Sequence, residues 1–264
     1  MINKKLNGKI VLITGASSGL GEQMARICAQ NGAHLILIAR NVEKLCAMKN
    51  ELEHTYKVRV SIYKADLGNL QEIDNVFTII FKDVQKIDVV VNNAGFGLFK
   101  PLLDTSMNEA YNMFSVNTLG LIAVTKQVLP MMIKSGGHII NIASQGGKIS
   151  TPKSSIYSAT KSAVIAFSNS LRMEVGPYGV YVTTVNPGPI ETNFFQIADQ
   201  SGNYLKNVGR WVLNSEVVAK RIVKKMLTPT REINMPYIMN VGSVFYTLFP
   251  SLVEKLGKNA FNKK

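Results

Sequence analysis

Cysteine is scarce: Cys28 and Cys46 are the two present. They form no CxxC pair, so a disulfide framework or thiolate metal site does not hold this fold. Two buried free thiols in a reducing compartment are expected. Histidine is nearly as rare, and His34, His54 and His138 form no cluster at ligand spacing, so no metal site is expected. Acidic residues number 17 against 30 Lys plus Arg, giving a net charge of +13. The surplus is scattered and no basic run interleaves with aromatics, which argues against a nucleic-acid module and leaves attraction of a phosphorylated ligand.

Long uncharged runs are also rare. Near the N-terminus Ile10 to Ile13 is too short for a secretory h-region, so a cytoplasmic location is expected. The exception is the stretch from Ile233 to Val253, which carries no charge. Asn234, Pro236, Asn240 and Gly242 within it make a poor spanning helix. It reads as a strand over Tyr237 to Val241 followed by an apolar helix or loop. The extension 243–264 combines Phe245, Leu248, Phe249, Leu252 and Leu256 with Lys255, Lys258, Lys263 and Lys264. Three readings stay open for it: weak peripheral membrane contact, subunit packing, or a pocket wall.

What is present is a regular alternation. Apolar β-type runs cover Lys9 to Thr14, His34 to Ala39, Val58 to Lys64, Ile87 to Asn92, Gly137 to Ala143 and Val180 to Asn186. A seventh opens at Tyr237. Helical patterns lie between them at Gly19 to Asn31, Val42 to His54, Asn69 to Lys86, Met107 to Lys134 with a break near Pro130, Ser154 to Val175, and Ser215 to Leu227. Alternation of this kind builds βαβ units, and near-continuous apolar strands belong to a parallel sheet buried on both faces. The fold class expected is therefore α/β, a doubly wound parallel sheet of about seven strands with helices on both faces. With no Pro/Gly/Ser linker and no repeat, residues 1–264 read as one domain.

Three local patterns carry chemistry. Between the first strand and the first helix stands Thr14-Gly15-Ala16-Ser17-Ser18-Gly19-Leu20-Gly21. A glycine-rich turn there lets backbone approach a pyrophosphate, and the helix N-terminus offers free N–H groups to it. At the end of the second strand stands Arg40, followed by Asn41. A guanidinium there pairs with a ribose 2′-phosphate, where an acid would repel it, so NADP(H) is expected over NAD(H). Tyr157 and Lys161 lie at i and i+4 of a helical pattern, and a nearby ammonium stabilises a phenolate. Ser144 follows the fifth strand, where loops line ligand crevices.

Together these residues resemble the short-chain dehydrogenase/reductase family, from about Lys9 to about Tyr237. The resemblance implies a Rossmann-like sheet and assigns residues to it. Gly15, Gly19 and Gly21, with Ser17, Ser18 and Leu20 between them, match the family's cofactor turn. Asp66-Leu67 matches the segment that contacts adenine, and Asn92-Asn93-Ala94-Gly95 the motif that borders the cofactor. Asn117, Ser144, Tyr157 and Lys161 match the catalytic set. Pro187-Gly188-Pro189-Ile190 with Thr192 matches the turn over the nicotinamide carboxamide. It further implies a variable lid over 190–212, a small-molecule carbonyl or alcohol substrate, and a homodimer or homotetramer. The resemblance implies that Tyr157 exchanges the proton, Ser144 holds the substrate oxygen, Lys161 binds the nicotinamide ribose and lowers the Tyr157 pKa, and Asn117 positions a relay water, with Tyr157 and Lys161 counted among the cofactor-binding residues. Phe96, Phe99, Phe194 and Phe195 are read either as pocket or as packing. A non-catalytic NADP(H) sensor on the same fold is the competing reading.

Overall fold

The computed structural model describes residues 3–199 and 209–261. Seven strands form one parallel sheet in the order β3-β2-β1-β4-β5-β6-β7. They are β1 (Ile10–Thr14), β2 (His34–Ala39), β3 (Val60–Lys64), β4 (Val89–Asn92), β5 (Gly137–Ile142), β6 (Val180–Pro187) and β7 (Glu232–Met235). The helices are α1 (Gly19–Gln30), α2 (Val42–Tyr56), α3 (Leu70–Asp83), α4 (Met107–Phe114), α5 (Leu121–Ser135), α6 (Ser155–Val175), α7 (Phe194–Ala198), α8 (Ser215–Lys225), α9 (Tyr237–Leu248) and α10 (Pro250–Phe261).

Each central strand sends alternate side chains to opposite faces, and both faces are dry. On one face Val11, Ile13, Leu35 and Leu37 pack with Met24 and Cys28 of α1 and with Ile222 of α8. On the other, Leu12, Ile36 and Val90 pack with Phe77 of α3 and Val128 of α5. The chain reverses direction across the sheet between β1 and β4. The strand C-termini there open the crevice in which ligands of such sheets bind.

The seventh strand is not at Tyr237 to Val241. It is Glu232–Met235, paired with β6 from Thr184↔Glu232 to Pro187↔Met235. As an edge strand it has only one core face: Ile233 and Met235 point inward while Glu232 and Asn234 are half-buried, so its sequence lacks the all-apolar signature of the inner strands. Pro236 then caps α9, turning the Tyr-Ile-Met run into helix.

Nor does Pro130 break its helix. It sits inside α5, held in place by the buried Val124, Val128 and Met132. Packing outweighs the roughly 3 kcal/mol that an interior proline costs a helix. The irregularity lies earlier, where Ser115–Gly120 winds as a π-helical turn between α4 and α5. The continuous segment Met107–Ser135 is long and apolar enough to cross a membrane by length and composition, but its apolar stripe is spent on the sheet. Cys28 is buried as expected, whereas Cys46 is exposed.

Candidate active site

A cleft of about 730 Å³ runs along the C-terminal ends of β1, β2, β4, β5 and β6. One end is built by the β1–α1 turn. Gly15 and Gly19 adopt φ of +64° and +56°, a region that costs glycine nothing. A Cβ on Gly21 would strike the Gly15 carbonyl and lie 2.6 Å from Asn93 Nδ2. Asn93 clamps the turn by donating to the carbonyls of Thr14 and Gly15 at 3.0 and 3.2 Å. Ser18 precedes α1 without a side-chain hydrogen bond to it, which leaves the first-turn N–H groups facing the cleft. Arg40 is 75% exposed at the rim, with its guanidinium 3.9 Å from the Asp66 carboxylate.

The other end holds the acid–base candidates. Tyr157 and Lys161 project from α6, both buried. Burial pushes the Tyr157 phenol up to about 12, and the Ser144 hydroxyl, hydrogen-bonded to it, pulls the other way. Burial brings the Lys161 ammonium down to about 8. Lys161 Nζ donates to the Ile142 carbonyl at 2.9 Å. The ammonium is thus engaged with a strand end, and the phenol is raised rather than lowered in the protein by itself. Ser144 Oγ accepts from Gly146 N–H at 3.0 Å, which fixes its orientation.

Asn117 sits in the π-helical turn, fully buried. Its amide accepts from Phe96 N–H at 2.9 Å and donates to the Phe96 carbonyl at 2.8 Å and to Thr160 Oγ1 at 3.1 Å. The side chain therefore clasps the strand-β4 loop to α6. A Cβ on Gly95 would lie 2.9 Å from Asn117 Oδ1 and 3.3 Å from Lys161 Nζ, so these three residues meet at one point.

Of the site residues singled out in the sequence, Gly21, Asn92 and Asn117 are not part of the cleft lining, while the following are. Gly15, Ser17, Ser18, Gly19, Leu20, Arg40, Asn41, Asp66, Leu67, Asn93, Ala94 and Gly95 form one part. Ser144, Tyr157, Lys161, Pro187, Gly188, Ile190 and Thr192 form the other. Positions 200–208 of the expected lid lie outside the described residues. The described part contains α7, tied down by a 2.7 Å bond from Phe99 N–H to the Ala198 carbonyl.

The phenylalanines line the pocket. Phe99 meets the Tyr157 ring edge-on at 5.8 Å and Phe194 meets it tilted at 5.8 Å, while Phe194 and Phe195 meet edge-on at 5.2 Å. Sequence reasoning missed Ile149, Trp211, Met239, Gly242 and Val253, which complete this wall. Met239 and Gly242 share a face of α9 at i and i+3, a signal hidden by reading that segment as strand. Arg40, Asp66 and Lys161 are the charged members of the lining among the described residues; Lys161 lies at the Tyr157 end, where its ammonium is bonded to the Ile142 carbonyl.

The sequence matches the short chain dehydrogenase family model over residues 9–201, well over half of the chain. The chain belongs to that family. It is 38% identical over 194 residues to the Xenopus laevis dehydrogenase/reductase SDR family member 7B, covering 71% of this chain and 60% of that relative's length. It is also 38% identical over 193 residues to the NADP-dependent 3-hydroxy acid dehydrogenase of Schizosaccharomyces pombe, covering 72% of this chain and 74% of that one. Among solved structures, an alcohol dehydrogenase from Thermococcus sibiricus, complexed with 5-hydroxy-NADP, superposes with a TM-score of 0.77 at 27% identity, covering 87% of this chain and 95% of that one. Membership makes this short-chain dehydrogenase an oxidoreductase by family.

Proposed function

We propose that this short-chain dehydrogenase is an NADP(H)-dependent carbonyl reductase or alcohol dehydrogenase acting on a lipophilic, uncharged substrate. The observation that carries this reading is the division of the cleft. Its glycine turn and Arg40 at the rim suit a phosphorylated dinucleotide, and its far end sets Ser144 and Tyr157 in an aromatic box of phenylalanines, with Lys161 as its charged group, bonded to the Ile142 carbonyl.

The cradle fits the cofactor, because Gly15, Gly19 and the uncapped first turn of α1 line the cleft, while Gly21 packs against the Gly15 carbonyl and Asn93 and holds the turn tight. Gly15, Ser17, Ser18, Gly19 and Leu20 would hold the phosphates. Arg40 and Asn41 would meet the extra 2′-phosphate, Asp66 and Leu67 the adenine, and Asn93, Ala94 and Gly95 the ribose side. Pro187, Gly188, Ile190 and Thr192 would meet the carboxamide. When bound, the nicotinamide supplies or accepts the hydride. The relatives' names agree, one being NADP-dependent and one complexed with an NADP derivative.

The chain's own residues handle the proton. A phenol at about 12 is protonated at neutral pH, so Tyr157 is loaded to donate to a carbonyl oxygen. Ser144 Oγ holds that oxygen in place. Lys161, one helical turn from Tyr157 and with its ammonium brought down to about 8 by burial, would hold the nicotinamide ribose beside the phenol. Asn117 fixes the Phe96 loop to Thr160 and would position a relay water near Lys161. In oxidation the same groups take the proton from an alcohol. We further propose a cytoplasmic enzyme that self-associates as a dimer or tetramer.

The test is oxidation of NADPH, followed by its absorbance, across straight-chain ketones, 3-oxoacyl esters and keto sugars. Each buried methylene contributes about 0.8 kcal/mol, so ketones longer by four methylenes should gain roughly 200-fold in kcat/KM. Keto sugars outrunning the apolar ketones, or turnover of none of them, would contradict the proposal.

A further inference from the structure

The helices α9 and α10 carry more apolar surface than the cleft uses. Of the twelve residues of α9, Ser243 is the buried one. Phe245 and Leu248 on α9, and Leu252 and Leu256 on α10, are 57%, 63%, 55% and 78% exposed. The pair is not a loose tail. Tyr246 Oη bonds to the Glu254 carboxylate at 3.1 Å, tying the helices together. Lys148 Nζ donates to Asn240 Oδ1 at 3.2 Å, anchoring α9 beside the Ser144 loop. The inner side, with Met239, Gly242 and Val253, is wall of the cleft.

Large apolar side chains left exposed on two helices packed together mark an interaction face. The charge around it selects the partner. No charged residue occurs from position 233 to 253, and the stretch that follows carries Lys255, Lys258, Lys263 and Lys264 against Glu254 alone. An apolar face followed in sequence by these lysines, on a chain of net charge +13, complements an anionic bilayer surface. A second copy would bring two like-charged, lysine-rich ends together, which is unfavourable.

We propose that the outer face of α9 and α10 docks on anionic lipid membrane, so that the cleft wall they form lies against the bilayer. A lipophilic carbonyl compound then reaches the aromatic box from the membrane rather than from water. This supply role rests on the function proposed above; the docking itself does not.

The experiment is co-sedimentation of the full chain with vesicles of equal parts phosphatidylglycerol and phosphatidylcholine, and with phosphatidylcholine vesicles. The comparison variant carries Phe245→Ser, Leu248→Ser and Leu252→Ser together, all exposed positions outside the cleft lining. NADPH binding, followed by fluorescence, checks that the variant folds. The expected result is that the wild type pellets with the anionic vesicles, binds phosphatidylcholine weakly, and loses binding about tenfold or more in the variant. Wild type that stays in the supernatant, or a variant that pellets equally, overturns the docking. So does a variant whose light-scattering mass halves while the wild type ignores vesicles, because a second copy then covers the face. Vesicle binding without turnover of any carbonyl leaves the docking standing and removes the function proposed above.

Discussion

Lys161 Nζ and the carbonyl oxygen of Ile142 are joined at 2.9 Å, so the buried ammonium of α6 is held by the end of β5. Burial brings that ammonium from an ordinary 10.5 down to about 8. That shift corresponds to about 3 kcal/mol of disfavoured charge. Losing one hydrogen bond to Ile142 costs about 1 kcal/mol, so the burial effect is larger. Lys161→Met should therefore leave thermal stability unchanged or raise it, while kcat/KM falls by roughly 100-fold or more. Calorimetry and turnover on the same preparation check both halves. A variant that melts far below the wild type would show the lysine to be structural.

Arg40 stands 75% exposed at the cleft rim, with Asp66 as its ion-pair neighbour at 3.9 Å. An exposed pair of this kind contributes little to folding. Arg40→Ser should leave stability within about 0.5 kcal/mol. It should lower kcat/KM with NADPH by roughly 10- to 100-fold, from the loss of a charge-assisted bond to the 2′-phosphate. Efficiency with NADH should change little. Equal losses with both cofactors would place the guanidinium elsewhere.

His138 gives the fold a pH limit. Its Nδ1 accepts from Leu227 N–H at 3.0 Å and its Nε2 faces Thr183 Oγ1 at 2.8 Å. A protonated Nδ1 would oppose the Leu227 N–H, and burial brings the imidazole from an ordinary 6.5 down to about 4. Between these values the unfolded chain binds the proton and the folded chain does not. Stability from this group is therefore complete above about 6.5 and is lost as pH falls toward 4. Urea unfolding near pH 7 and pH 5 should differ by about 2 kcal/mol on this account. His138→Gln should remove most of that difference; an undiminished difference would assign it to other groups.

The inner strands were legible because burial on both faces writes an unbroken apolar run, and β2 spans His34–Ala39 as read from sequence. The edge strand was not, since Glu232 and Asn234 turn half of β7 to a polar cluster with Lys148 and Asn186. The glycine turn, Ser144, Tyr157 and Lys161 could be singled out because their spacing is local. The π-helical turn around Asn117 carries no such mark: its amide is placed by Phe96 and Thr160, which are distant in sequence. The rest of the aromatic end was hidden for the same reason. Ile149, Trp211, Met239 and Val253 converge only after the chain has folded, and nothing in their spacing links them.

Turnover and cofactor binding measured side by side on the Tyr157→Phe variant test the central claim most directly. Under the proposed function the phenol gives the proton to the substrate oxygen; it stands in the aromatic box beside Ser144. Removing its hydroxyl should lower kcat by about 1,000-fold or more, with NADPH affinity within about twofold of the wild type. A variant that keeps roughly a tenth of wild-type turnover would show that the proton travels by another group.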